Sequence, residues 1–290
     1  MLNDQNYKPT IPIKWINLNS AIRRRDRMNW AISQGGWRAN RFEAIDALDK
    51  NQLFLPIANP LMHGQALPGI MRFSEENPNR KTNRNELACF ASWQRIIIEA
   101  EREPSEWILL MEDDVGASLA APEAWPISLE SLISDAPENC LAIQLAPINA
   151  NARKHLYNEW ILSNKKTWLT SKHLVRSHGN GAILISKNAL KILIPCLSRY
   201  TAINFPNVHP LIHPFKIRPV ADKWIYGSLP KNSCYVVNYP LFCLDAKNSS
   251  LHTDHINKYH QPSKQVTRDI WIAEGNMMLL KALEKWEAIK

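Results

Sequence analysis

Short apolar runs rich in Ile, Leu and Val alternate along the chain with stretches whose apolar residues recur every third or fourth position. The runs fit buried strands and the longer stretches fit amphipathic helices. "IPIKWINLN" (11–19) predicts a first strand, and "AIRRRDRMNWAI" behind it predicts a helix with Ser20 as N-cap. "RFEAIDAL" (41–48) reads as a second strand and turn. In "NELACFASWQRIIIEA" the residues Leu87, Phe90, Trp93 or Gln94, and Ile97 share one helical face, and Pro104 closes the segment.

"WILLM" (107–111) is the next strand, after which Pro122, Pro126 and Pro137 punctuate a helical stretch. "CLAIQLAPI" and "SCYVVNYPLFCL" read as buried strands, and "GAILISKNALKILIPCL" as a strand entering a helix capped by Ser186. Residues 51–84 hold no sustained period and carry Pro56, Pro60, Pro68 and Pro78, which predicts an irregular insertion of the kind used for lids and binding loops. The chain closes on an amphipathic helix around 266–290, with Leu279, Leu283, Trp286 and Ile289 along one face. Strands alternating with helices predict an α/β fold, a mostly parallel sheet flanked by helices, in a single domain over 1–290.

Composition changes this picture little. A chain of 290 residues buries enough surface to need no metal or disulfide for its core. Five cysteines, an odd number without C-x-x-C spacing, fit reduced thiols in a cytoplasmic protein. The first ten residues lack the apolar core of a signal peptide, and no run approaches the ~20 apolar residues of a membrane span. The net charge of +8 favours anionic partners. The basic residues are scattered apart from "RRRDR" at 23–27, with no stripe of Arg and Lys interleaved with aromatics, so nucleic acid is not an expected partner.

The candidate chemistry lies in "EWILLMEDDV" (106–115), where a buried strand runs straight into Glu112, Asp113 and Asp114. Ligands of open α/β sheets bind beyond the carboxyl ends of strands. Crowded carboxylates raise one another's pKa, and a hard divalent cation relieves that repulsion. The plainer alternative is that one acid caps a helix while the others are solvated. At the first strand end, helix N–H groups with Arg23 or Arg24 in the first turn could hold phosphate. His252, Asp254 and His255 in "LHTDH" offer a further metal ligand, and the Gly-Asn-Gly turn behind His178 allows close backbone approach to a ligand.

An ordered series of short motifs resembles glycosyltransferase family 25, the bacterial lipopolysaccharide galactosyl- and glucosyltransferases and their collagen-modifying relatives. The motifs are "INLNSAIRRRDRM", "FEAIDA", "ELACFASW", "LLMEDDV", "SHGNGAILISKNALKIL", "RPVADKWIYG" and "YPLFCLDAKNSSL". The resemblance implies a Rossmann-like nucleotide-diphospho-sugar transferase fold of the A type, a UDP-hexose donor, Mn²⁺ (or Mg²⁺) and a glycan or lipid-linked oligosaccharide acceptor. It places metal at Glu112 and Asp114, with His252 as a further ligand, and donor contacts at Asn17, Arg23, Arg24, Asp113 and Gly181. Asp222 matches an acidic motif residue and becomes the candidate base, its structural alternative being a helix cap.

Three positions depart from the family pattern: Trp93 replaces a usual His, Ala221 is inserted before Asp222, and Asp245 replaces a Gln. The expectation is a cytoplasmic, inverting, metal-dependent hexosyltransferase, in loose contact with an anionic membrane face. A phosphoryl-transfer or hydrolytic enzyme, or a catalytically degenerate member of the fold, are the alternatives.

Overall fold

The computed structural model of the protein describes residues 9–49, 84–197, 220–245 and 256–289. The strands in chain order are β1 (Ile13–Asn17), β2 (Ala39–Glu43), β3 (Trp107–Glu112), β4 (Ala142–Gln144), β5 (Leu169–Ser171), β6 (Ala182–Ser186) and β7 (Cys234–Val237). They form one sheet in the order β2–β1–β3–β6–β4–β7–β5. β1, β2 and β3 run together, as do β4 and β7, while β6 opposes β3 and β4 and β5 opposes β7. Since β6 is antiparallel to both β3 and β4, five of the seven strands point the same way. The expected mostly parallel α/β sheet is therefore present, with β5 and β6 reversed.

Both faces of the sheet are covered, which explains why its central strands read as unbroken apolar runs. Successive side chains point to opposite faces. Leu109 and Met111 of β3 join Ile13, Trp15 and Leu184 in one core. Ile108 and Leu110 join Ile16, Ile183 and Ile185 in the other. The first core is covered by α1 (Ile22–Gln34), α4 (Ala150–Leu162), α7 (Gln261–Ala273) and α8 (Met277–Ala288). The second is covered by α2 (Arg84–Glu101), α5 (Lys187–Leu193) and α6 (Ala221–Ser228). The remaining helix, α3 (Leu129–Ser134), follows two short 3₁₀ turns. Much of the tryptophan is core: Trp15, Trp93, Trp125, Trp224, Trp271 and Trp286 are fully buried.

Several expectations change in detail. Ser20 does not cap the first helix: Ala21 stands at that position, and no side chain caps it. The chain spends residues 18–21 on a turn in which Ala21 N donates to Leu18 O, and Asn17 Nδ2 donates to Ala21 O. Ser186, by contrast, accepts from Ala189 N as predicted. The closing segment is two helices rather than one, because Gly275 between them takes a φ of +68°, which favours glycine. β5 and α4 form where no element was expected. The insertion expected over 51–84 lies, up to the start of α2, outside the described residues.

Candidate active site

The site is built where β1 and β3 end. Their parallel register pairs Ile16 with Glu112, so the next residues, Asn17 and Asp113, emerge side by side. Asn17 Nδ2 donates to Asp113 Oδ2 at 2.5 Å, and Arg41 Nε donates to Asn17 Oδ1 at 3.0 Å. Arg24, on the first turn of α1, sets Nη1 3.1 Å from Asp113 Oδ1. Both Asp113 oxygens are thereby engaged. Burial still pushes its carboxyl above the ordinary range, against the pull of Arg24 and Asn17.

The pleat sends Glu112 to the opposite face, where α2 packs. There Trp93 Nε1 donates to Glu112 Oε1 at 2.9 Å, and the Cys89 thiol lies 3.8 Å from the same oxygen. Burial raises the Glu112 carboxyl, and Asp113 adds to the effect. Burial and the same glutamate lift the Cys89 thiol well above its usual value, so it is no thiolate nucleophile. Asp114 is the most strained electrostatically. Its Oδ1 is buried without a hydrogen-bond partner. Burial, then Glu112 and Asp113, hold its carboxyl well above the ordinary range. Its backbone carbonyl accepts from Asp245 N at 2.6 Å.

A second group comes from α6 and the loop before β6. Asp222 Oδ2 accepts from Gly179 N at 3.2 Å, and Oδ1 accepts from Lys223 N at 2.8 Å. Burial alone would raise this carboxyl, but Lys223, His178 and the Gly179 N–H together hold it at about 2. Lys223 Nζ lies 2.8 Å from His178 Nδ1. An ammonium has only donors, so Nδ1 accepts and the imidazole proton sits on Nε2. Burial and Lys223 lower His178 to about 4, which keeps the ring neutral. Gly179 has a φ of +91°, and a Cβ there would meet Ile148 Cγ2 at 2.6 Å. Only glycine fits that backbone. At Gly181 a Cβ would meet Val115 Cγ1 at 2.7 Å, so close packing accounts for that glycine.

One cavity of about 730 Å³ joins the two groups. Of the residues singled out in the sequence, Asn17, Arg24, Glu112, Asp113, Asp114, Gly181 and Asp222 line it. Arg23 does not. Residues adjacent on a helix point about 100° apart, and Arg23 Nε donates instead to Ile289 O at 3.0 Å. His252, with Asp254 and His255, lies outside the described residues. His178, Lys223, Cys89 and Trp93 also line the cavity. Of these, Lys223 carried no sequence signal beyond its place beside Asp222.

The acidic group fits a hard cation. Asp114 offers an unpartnered buried oxygen, and Glu112 lies close enough to raise its pKa. Among the described residues no set of three His, Cys, Asp or Glu side chains forms a ready-made cage. A cation on Glu112 and Asp114 would complete its shell with water and phosphate oxygens, the usual manner for Mg²⁺.

The family model described as Glycosyltransferase family 25 (LPS biosynthesis protein) matches residues 11–200, the greater part of the chain. The match takes in β1 to β6, the acidic strand end and the loop at 177–181, and stops short of Asp222. No curated protein matches the chain significantly.

Proposed function

The chain belongs to glycosyltransferase family 25 and is a transferase that takes a sugar donor and a glycan acceptor, and from this premise we propose its reaction. It moves a hexose, galactose or glucose, from a UDP-sugar to a lipopolysaccharide glycan or lipid-linked oligosaccharide, with inversion. One observation carries the reading: a partnerless carboxylate oxygen on Asp114 shares a cavity with the ionised Asp222.

The geometry supports the following roles. Glu112 and Asp114 would hold Mn²⁺ or Mg²⁺, which supplies Lewis-acid neutralisation of the leaving diphosphate when bound. Asn17 and Asp113 fix the Arg24 side chain at the cavity wall, where its guanidinium is aimed at donor phosphate. Gly181, packed against Val115, lines the cavity on the proposed donor side. Asp222 orients the acceptor hydroxyl and accepts its proton late, when bond formation has acidified it. A carboxylate held at about 2 is too weak a base to take that proton earlier. Neutral His178 presents Nε2–H as a donor beside it.

We assign the reaction to the cytoplasm. The free thiols of the described residues suit that compartment, and the charge of +8 suits loose contact with an anionic membrane face. No helix among the described residues is long and apolar enough to cross a membrane.

The test is a screen of UDP-sugars that follows UDP release with and without Mn²⁺ and with and without a glycan acceptor. Turnover is expected only when one UDP-hexose, cation and acceptor are all present. Release of phosphate from the nucleotide with no acceptor points to hydrolysis, and failure to bind any UDP-sugar in calorimetry points to a degenerate site; either outcome removes the proposal.

A further inference from the structure

Behind the wall formed by 177–181 lies a lysine that the reaction as described does not use. Lys172 is 4% exposed and touches nothing in the cavity. Its Nζ donates to Gln144 Oε1 at 2.7 Å, to Ser177 Oγ at 2.8 Å and to Ser177 O at 3.1 Å. Three acceptors match the three N–H bonds of an ammonium. The same Nζ stands 4.1 Å from the centre of the Tyr226 ring.

Gln144 is fully buried and passes this arrangement on. With its oxygen held by Lys172 and the Ser177 hydroxyl, its Nε2 is turned to donate to His178 O at 3.0 Å and Gly179 O at 2.6 Å. Gly179 N in turn donates to Asp222. A continuous chain of hydrogen bonds therefore runs from the lysine to the acid across the cavity wall.

We propose that Lys172 is a positioning residue: its ammonium locks the Gln144 amide, which fixes the His178–Gly179 backbone and through it Asp222. This inference rests on the cavity's being the transfer site. Burying the ammonium is costly, and its acceptors would be costly to leave unpartnered, so a stability role and a positioning role are told apart by which amides open.

The arrangement depends on the proton. Burial first, then Lys223, lower the Lys172 amine to about 7, with Asp222 and Cys234 opposing. The groups facing it are Lys223, Asp222 and Tyr226 from α6, Cys234 from β7 and His178 from the loop. A neutral amine has two N–H bonds and cannot serve three acceptors.

The experiment compares wild type with Lys172→Met by hydrogen exchange, melting temperature and turnover across pH. Amides of 177–181 are expected to lose protection by about tenfold or more, as in a local opening. kcat/KM is expected to fall by about a hundredfold, the scale of a small misplacement of a reacting group. The melting temperature falls, because Ser177 O loses its donor. The wild-type alkaline limb near pH 7 is absent from the residual activity of the variant. Should Lys172→Met fail to fold, Gln144→Glu keeps the bond to Lys172, removes the two amide donors and is expected to lose the same protection. Wild-type protection in the folded variants overturns the assignment, as does a loss of protection spread over the whole sheet rather than confined to 177–181. Exchange needs no donor sugar, so its result stands apart from the outcome of the donor screen.

Discussion

A carboxyl group buried beside two others ionises against both desolvation and repulsion, and Asp114 is in that position. A folded-state pKa above the unfolded value means that the folded protein holds the proton more tightly. Stability from this group is thus present below pH 3.8 and lost as pH rises through its raised folded pKa. Asp222 has the opposite sign: its contribution is present above 3.8 and lost as pH falls through about 2. A cation at neutral pH should do for Asp114 what acid does. Mn²⁺ is expected to raise the melting temperature of wild type but not of Asp114→Asn, which itself melts no lower and loses turnover by about a hundredfold or more. A scan with and without the cation checks the first part; equal shifts in the two proteins would dismiss the metal reading. The triplet was visible in the sequence because strand and acids are contiguous. The pairing of Asp222 with Gly179, or of Lys172 with Gln144, was not, since each joins segments distant along the chain.

Elements whose ends are fixed by their own residues were readable; those fixed by neighbours were not. Ser186 sits beside an apolar strand and a helical stripe, and its hydroxyl does accept from Ala189 N. Ser186→Ala should destabilise by about 1 kcal/mol in urea titration while kcat/KM stays within error, because the cap lies at the far end of β6 from the cavity. Ser20 looked equally suited, but the turn at 18–21 is dictated by Asn17, whose amide is committed to Ala21 and Asp113. α4 was overlooked because its buried apolar residues Ala152, Leu156 and Trp160 form a narrow stripe among Asn, Lys, His and the buried Arg153. β5 has three residues, none of them buried, and exists only through pairing with β7. No local pattern could announce it. The glycine at 275 could have announced the break between α7 and α8, and its cost in a helix is the physical signal.

At the scale of the molecule, the end of the chain supports its beginning. Arg27 is 1% exposed, with Nη1 2.6 Å from Asp245 Oδ2, Nε donating to Ile289 O and Nη2 to Glu287 O. Arg23, one turn earlier, also reaches Ile289 O, so the basic cluster divides its work: Arg24 serves the acids while Arg23 and Arg27 hold the tail of α8. The sequence pointed to an anion site at Arg23 and Arg24 and could not show partners more than two hundred residues away. Arg27→Met removes the guanidinium and leaves the Asp245 carboxylate buried without it, which should destabilise the fold by about 3–5 kcal/mol. Asp245 also donates its backbone N–H to the Asp114 carbonyl, a bond that any side chain at 245 preserves. The double variant Arg27→Met with Asp245→Leu should therefore recover most of the lost stability and keep turnover within a few-fold of wild type, because the strand end that carries Asp114 is held by backbone. Denaturant titration of both single variants and the double gives the coupling directly. A double variant as unstable as Arg27→Met alone would instead mean that Arg27 acts through the carbonyls of Glu287 and Ile289, making the docking of α8, rather than the ion pair, what secures the acidic end of β3.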